Sequence, residues 1–168
     1  MVSFNDHGKN FRLSKSLNLP GSNEAMAAEL PDGKIIINAR NQKGEPRSSI
    51  VSLSSTGGES WNTTYYDSNL IDPVCQGSIL SLRLKANKTA LAVCNNADLR
   101  NRDRLTLRIS FDQGQSWKKY YLIGQAPSGY KGDFTAYSDL VQIDKMTIGV
   151  LYEFDDYKQI LFKPVSIK

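Results

Sequence analysis

Between Arg104 and Ser110 apolar and polar residues alternate without a break, with Leu105, Leu107 and Ile109 on one side and Arg104, Thr106, Arg108 and Ser110 on the other. A period of two is that of a β-strand with one apolar and one polar face. Leu80, Leu82 and Leu84 repeat the pattern. Residues 34–39 contain three consecutive isoleucines and residues 90–94 read Ala-Leu-Ala-Val-Cys, short runs suited to strands covered on both faces. Residues 146–152 and 159–168 complete the set, the last with a Pro164 that is tolerable on an edge. Glu24 to Leu30, EAMAAEL, is built of helix formers. Pro20 and Pro31 bracket it, however, and leave room for at most about two and a half turns, a marginal helix. It is read as a strand that ends in the turn Pro31-Asp32-Gly33.

The strands are punctuated by a repeated turn. Ser110-Phe111-Asp112-Gln113-Gly114-Gln115-Ser116-Trp117 has the form S-x-D-x-G-x-x-W. Residues 54–61 match it with Thr56 in the Asp position, and residues 4–11 match it more loosely, with Phe4 for Ser and Phe11 for Trp. Its glycines, Gly8, Gly58 and Gly114, stand 50 and 56 positions apart. The pattern is local physics: Asp accepts from nearby backbone N–H groups, Gly reaches φ > 0, and the aromatic packs inward. These Asp residues are therefore read as structural.

Strands with such a repeat predict four-stranded blades, hence an all-β fold of the β-propeller type. Propellers close with about four to eight blades, whereas 168 residues supply about three. An open arc leaves apolar blade faces in water, so the chain is expected to be part of a larger domain.

Composition narrows the function without choosing it. The chain is 40% hydrophobic and 23% charged, as in globular domains, and no apolar run approaches a membrane span. The N-terminal residues MVSFNDHGKNF hold no apolar signal core. The net charge of +4 is spread along the chain, and aromatics do not alternate with basic residues as on a nucleic-acid stacking platform. Cys75, Cys94 and the single His7 cannot make a zinc site. A disulfide and two buried thiols are both open for the cysteines.

The candidate chemistry lies in AYSDLVQIDKMTIGVLYE, Ala136 to Glu153. Two strand-like runs joined at Ile143-Asp144-Lys145 would, as a hairpin, bring Tyr137 and Glu153 together at the open end. A phenol beside a carboxylate is a candidate activated nucleophile; a packed Tyr with a solvated Glu is the ordinary alternative.

Together these segments resemble the bacterial-type exo-α-sialidase family, whose Asp-box is the repeated turn. Asn23-Glu24, Glu29-Leu30-Pro31-Asp32-Gly33 and Asn38-Ala39-Arg40 resemble the segment with the nucleophile's glutamate partner and a carboxylate-binding arginine. Arg102, in NRDRLTLRISFDQGQSW, stands where the family has another such arginine. Tyr137-Ser138-Asp139-Leu140 and Gly149-Val150-Leu151-Tyr152-Glu153 resemble the nucleophile segment and its closing glutamate. Asp72 to Ser78 resembles a loop near the glycerol side of the pocket.

The resemblance implies Tyr137 as nucleophile, Glu24 as its base, Arg40 and Arg102 as binders of the substrate carboxylate, and Glu153 as the residue that orients an arginine. A neutral nucleophile suits a reacting carbon that already bears a carboxylate, and sialidases depart in this way from the two-carboxylate glycosidases. Arg47, Arg83, Arg104 and Arg108 do not match the family's motifs. No metal or other cofactor is implied. The implied substrate is a sialylated glycoconjugate, and the family suggests a secreted, cell-surface or periplasmic setting.

Two family motifs have no counterpart: the Phe-Arg-Ile-Pro-like segment with the first arginine, and the aspartate that serves as general acid/base. Residues 1–168 thus read as the C-terminal part, about three of six blades, with the N-terminal half as the expected partner. Loss of the general acid is commonly worth about 10²–10⁴ in rate, so the chain alone is expected to be inactive. The alternatives are a non-catalytic carbohydrate-binding or assembly module and an intramolecular trans-sialidase.

Overall fold

The computed structural model describes residues 2–3 and 7–167. The loosest of the three repeats begins at Phe4, and its residues 4–6 lie outside the described set. Among the described residues thirteen strands form four antiparallel sheets, each a meander in chain order. β1 (Val2–Ser3) pairs with β2 (Arg12–Leu13). The next sheet runs β3 (Ser22–Glu29), β4 (Ile35–Asn41), β5 (Ser48–Ser54), β6 (Thr63–Ile71). It is followed by β7 (Ser78–Arg83), β8 (Thr89–Asn96), β9 (Leu105–Ser110), β10 (Lys119–Gly124). The last sheet has three strands, β11 (Thr135–Asp144), β12 (Thr147–Phe154) and β13 (Gln159–Ser166). The blade material thus divides into two four-stranded sheets flanked by sheets of two and three strands.

EAMAAEL is a strand, and its pairing says why. Ala27 and Ala28 sit opposite Ile37 and Ile36 of β4, so the cross-strand contacts outweigh a helix propensity that two prolines already truncate. The turn at its end closes with Gly33 N–H donating to Leu30 C=O at 2.9 Å.

The two repeated turns that lie wholly among the described residues, at 54–61 and 110–117, each join the third and fourth strands of a sheet. In the second, Ser110 Oγ accepts from Gly114 N–H at 2.8 Å and Asp112 Oδ1 accepts from Ser116 N–H at 2.8 Å; Gly114 has φ +89°. In the first, Ser54 Oγ accepts from Gly58 N–H at 2.9 Å, and Thr56 Oγ1 takes the place of the Asp oxygen toward Ser60 N–H at 2.9 Å. A hydroxyl in the Asp position therefore preserves the turn. Trp117 then packs with Ile36, Val51, Ile79 and Leu91, locking the β3–β6 and β7–β10 sheets together.

The strict alternation over Arg104 to Ser110 misleads on one point. All six residues of β9 are buried. Leu105, Leu107 and Ile109 pack with Leu140, Ile148 and Val150 of the last sheet. The opposite face is sealed as well, and Arg108 Nη1 donates to Asn95 Oδ1 at 2.5 Å inside it. An inner strand of a stacked sheet has no solvent face, so its polar side depends on internal partners; Arg108 Nη1 has one in Asn95, and its buried Nε has none.

β13 is an edge strand and so tolerates Pro164, which lies opposite Gly149. Cys75 and Cys94 are both buried free thiols, which decides between the two alternatives.

Candidate active site

Two irregularities in strand pairing build the centre of the site. The β3–β4 register slips between Ser22 and Ala25, and the β11–β12 register slips between Thr135 and Ser138. Glu24 lies in the first slip and Tyr137 in the second. A local bulge re-aims side chains, and here both turn to the same place. Tyr137 Oη donates to Glu24 Oε1 at 2.5 Å.

Arg40 closes the group. Its Nη1 donates to Glu24 Oε2 at 2.7 Å and to Tyr137 Oη at 3.1 Å. Its Nε donates to Gln42 Oε1 at 2.9 Å, and its Nη2 donates to the same oxygen. Asn23 Nδ2 holds that Gln42 oxygen from the other side at 3.1 Å. Of the five N–H bonds of a guanidinium, these contacts leave one on Nη2.

The Tyr137 phenol is held above the usual tyrosine range, first by its hydrogen bond to Glu24 and then by burial and the carboxylate charge, while Arg40 and Arg102 act in the opposite direction. The phenol therefore keeps its proton at neutral pH, and nucleophilic strength would come from proton transfer to Glu24 during bond formation.

Arg102 comes from the loop between β8 and β9, and its guanidinium lies 5.6 Å from the centre of the Tyr137 ring. Its Nη1 donates to Tyr157 Oη at 2.9 Å and its Nη2 to Val74 C=O at 3.2 Å. Asp133 Oδ2 stands 3.8 Å from its Nε.

Glu153 is in the site by a different contact from the one its spacing suggests. Its Oε2 accepts from the backbone N–H of Tyr137 at 3.1 Å. The hairpin does bring the two residues together at its open end, but the phenol points to Glu24. Glu153 holds the bulged backbone, not the phenol.

The 72–78 loop is the scaffold beneath these groups. Asp72 accepts from Asn41 N–H at 2.8 Å and from Cys75 N–H at 2.9 Å. Burial pushes its carboxyl above the ordinary value, partly offset by those bonds. Gln76 Oε1 accepts from Ser138 N–H at 3.1 Å, tying the loop to the strand of Tyr137.

The five residues singled out from the sequence thus come together, with Glu24, Arg40 and Arg102 at the Tyr137 side chain and Glu153 at its backbone. Sequence reasoning placed Gln76 only within the 72–78 loop, and it missed Gln42, Asp133 and Tyr157. Gln42 stands in the turn just past the end of β4, where strand alternation does not mark it. Asp133 and Tyr157 lie in loops, where no periodicity marks them. Among the described residues no group of three or more His, Cys, Asp or Glu side chains is placed to hold a metal ion. No helix among them is long and apolar enough to cross a membrane.

Comparison with known proteins places the arrangement in context. Residues 2–150 match the BNR repeat-like domain family. A sialidase of Bacteroides fragilis (strain YCH46) is 30% identical over 169 residues, covering 97% of this chain and 29% of the relative. The NanB sialidase of Streptococcus pneumoniae superposes with a TM-score of 0.81 at 23% identity, over 99% of this chain and 27% of that one. A leech intramolecular trans-sialidase gives 0.79 at 23% identity, over 99% and 27%. At these identities the structural likeness speaks for the fold. The chain spans less than a third of the length of each of these three proteins.

Proposed function

Because the chain belongs to the bacterial-type exo-α-sialidase family, with a BNR repeat-like domain, we propose that it forms the C-terminal half of a six-bladed propeller that hydrolyses terminal α-linked sialic acids with retention. The observation that carries this reading is the bond from the Tyr137 phenol to Glu24, flanked by two arginines.

Tyr137 Oη attacks the anomeric carbon as its proton passes to Glu24, and the bond to the leaving oxygen breaks. The leaving oxygen takes its proton from an acid outside this chain, an aspartate of the N-terminal half. Water then attacks the tyrosyl glycoside, giving a proton to that same aspartate, and the departing phenol recovers its proton from Glu24. Two displacements at one carbon give net retention. A neutral nucleophile avoids the repulsion that a carboxylate would meet from the substrate carboxylate.

That carboxylate is gripped by Arg40 and Arg102, for which charge-assisted bonds are the strong option. Arg102 has an N–H left on each terminal nitrogen. Arg40 has one left on Nη2, and its longer bond to the phenol is the one exchanged for a substrate oxygen. Glu153 holds the Tyr137 backbone with Oε2, and its expected role of orienting an arginine has no ion pair behind it among the described residues.

The N-terminal half is the proposed partner. In support, the last sheet presents Val141, Leu151, Ile160 and Phe162 at 43–69% exposure on one face. Apolar surface of this kind marks an interaction site.

Release of the fluorophore from a fluorogenic sialoside tests the reading. The chain alone is expected to give no turnover, and co-folding with the N-terminal propeller half of a sialidase relative is expected to restore it. Turnover by the chain alone overturns the inactive-half assignment. A complex that binds sialate but never turns it over supports the binding-module alternative instead. Product analysis separates hydrolysis from formation of an anhydro sugar.

A further inference from the structure

We infer that Tyr157 is a positioning residue for Arg102, and through it for the substrate carboxylate; the second part rests on the sialidase reading above. Tyr157 lies outside every segment that carries the family resemblance. Its phenol accepts from Arg102 Nη1 at 2.9 Å and donates to Asp133 Oδ2. The donation fixes the phenol's proton on the Asp133 side and leaves its lone pairs toward the arginine. Val74 C=O fixes the other terminal nitrogen at 3.2 Å.

The choice of groups has an electrostatic logic. A carboxylate in direct, bidentate contact with Arg102 would occupy the fork and cancel the charge that a substrate carboxylate needs. Here the carboxylate of Asp133 stands back at 3.8 Å from Nε, and a neutral phenol makes the close contact. The guanidinium is oriented by a partner that adds no competing charge, and one N–H remains on each terminal nitrogen.

The backbone supports a purpose for this placement. Asp155, Asp156 and Tyr157 are three consecutive non-glycine residues at φ 50°, 56° and 65°. Left-handed backbone in such residues persists only where surrounding contacts over-determine it, and it concentrates at functional sites. The contacts are present. Asp155 and Asp156 N–H groups donate to Phe134 and Asp133 C=O at 3.0 and 2.8 Å. Tyr130 Oη donates to Asp155 Oδ1 at 2.6 Å. The turn is thus zipped to the segment that carries Asp133, and the two deliver their side chains to Arg102 together. Because Arg102 also lies over the Tyr137 ring, its placement bears on the nucleophile as well.

The test compares the wild-type chain with Tyr157→Phe and Asp133→Asn by two readouts: the ¹⁵N–¹H signals of the Arg102 guanidinium, and titration with N-acetylneuraminate followed on the same spectra. Thermal melting checks that each variant folds. In the wild type the Arg102 N–H signals are expected to be resolved by hindered rotation. In Tyr157→Phe they are expected to merge, with sialate affinity about tenfold lower, the scale of one hydrogen bond to a charged group. Asp133→Asn, which keeps an acceptor for the phenol, is expected to fall between. Unchanged Arg102 signals in Tyr157→Phe overturn the inference whatever the ligand does. Merged signals with equal affinity overturn its link to the carboxylate. A complex of the wild-type chain with the N-terminal half that does not bind sialate counts against the sialidase reading, and the Arg102 signals still decide whether Tyr157 places that arginine.

Discussion

Tyr137 donates its phenolic proton to Glu24 across 2.5 Å, although 113 positions separate the two residues in the chain. The bond spans two sheets, and each partner lies at a slip in its own strand pairing. It also raises the phenol's proton affinity. The resting site is therefore a neutral tyrosine hydrogen-bonded to a carboxylate.

Glu24→Gln removes the leading cause of that rise. The ionisation midpoint of Tyr137 is expected to move down, read as the ultraviolet phenolate signal against a Tyr137→Phe reference. The sign for stability follows. A group whose folded pKa lies above its unfolded value of about 10 contributes stability that is present below pH 10 and is lost as pH rises through the folded value. If co-folding with an N-terminal half gives the proposed sialidase activity, the same substitution is expected to lower turnover by about 10²–10⁴, and Tyr137→Phe by at least as much.

Asp112 gives the opposite pH dependence. Its bonds from Ser116 and Ser110 hold its carboxyl down to about 2, against an ordinary value of 3.8. Its contribution to stability is present above about pH 4 and is lost as pH falls toward 2. Thermal melting of wild type and Asp112→Asn is expected to differ at pH 5 and to converge at pH 2.

Trp117 anchors the same turn between two sheets, with its indole N–H 3.3 Å from Asp67 Oδ2. Trp117→Ala is expected to cost about 3–5 kcal/mol in a urea unfolding titration. Phe111→Ala on the same turn, where the side chain is half exposed, is expected to cost far less.

The cysteines are expected to resist alkylation in the native chain. Burial pushes both thiols up to about 12, and the thiolate is the reactive form. Iodoacetamide at pH 8 should label neither until urea unfolds the protein, when both react.

Much of the fold was legible along the chain because strand periodicity, proline brackets and the Asp-box turn are local properties. The Asp-box reading extended even to Thr56, whose hydroxyl repeats one of the aspartate's bonds. Taken as residues alone, however, the Ala136–Glu153 stretch paired the Tyr137 phenol with Glu153, the nearest carboxylate across its own hairpin. The resemblance pointed to Glu24 instead, and the phenol bonds there while Glu153 takes the backbone N–H.

What the sequence determined by itself was the strand-and-turn grammar and the order in which the site residues appear. Only the tertiary structure decided which side chains meet. A bulge is set by how two strands accommodate each other, and both faces of β9 are sealed only because a sheet packs on each side. Tyr157 and Asp133 reach Arg102 from loops whose shape depends on each other. Contacts of that kind arise from packing between distant segments, and no pattern within one segment encodes them.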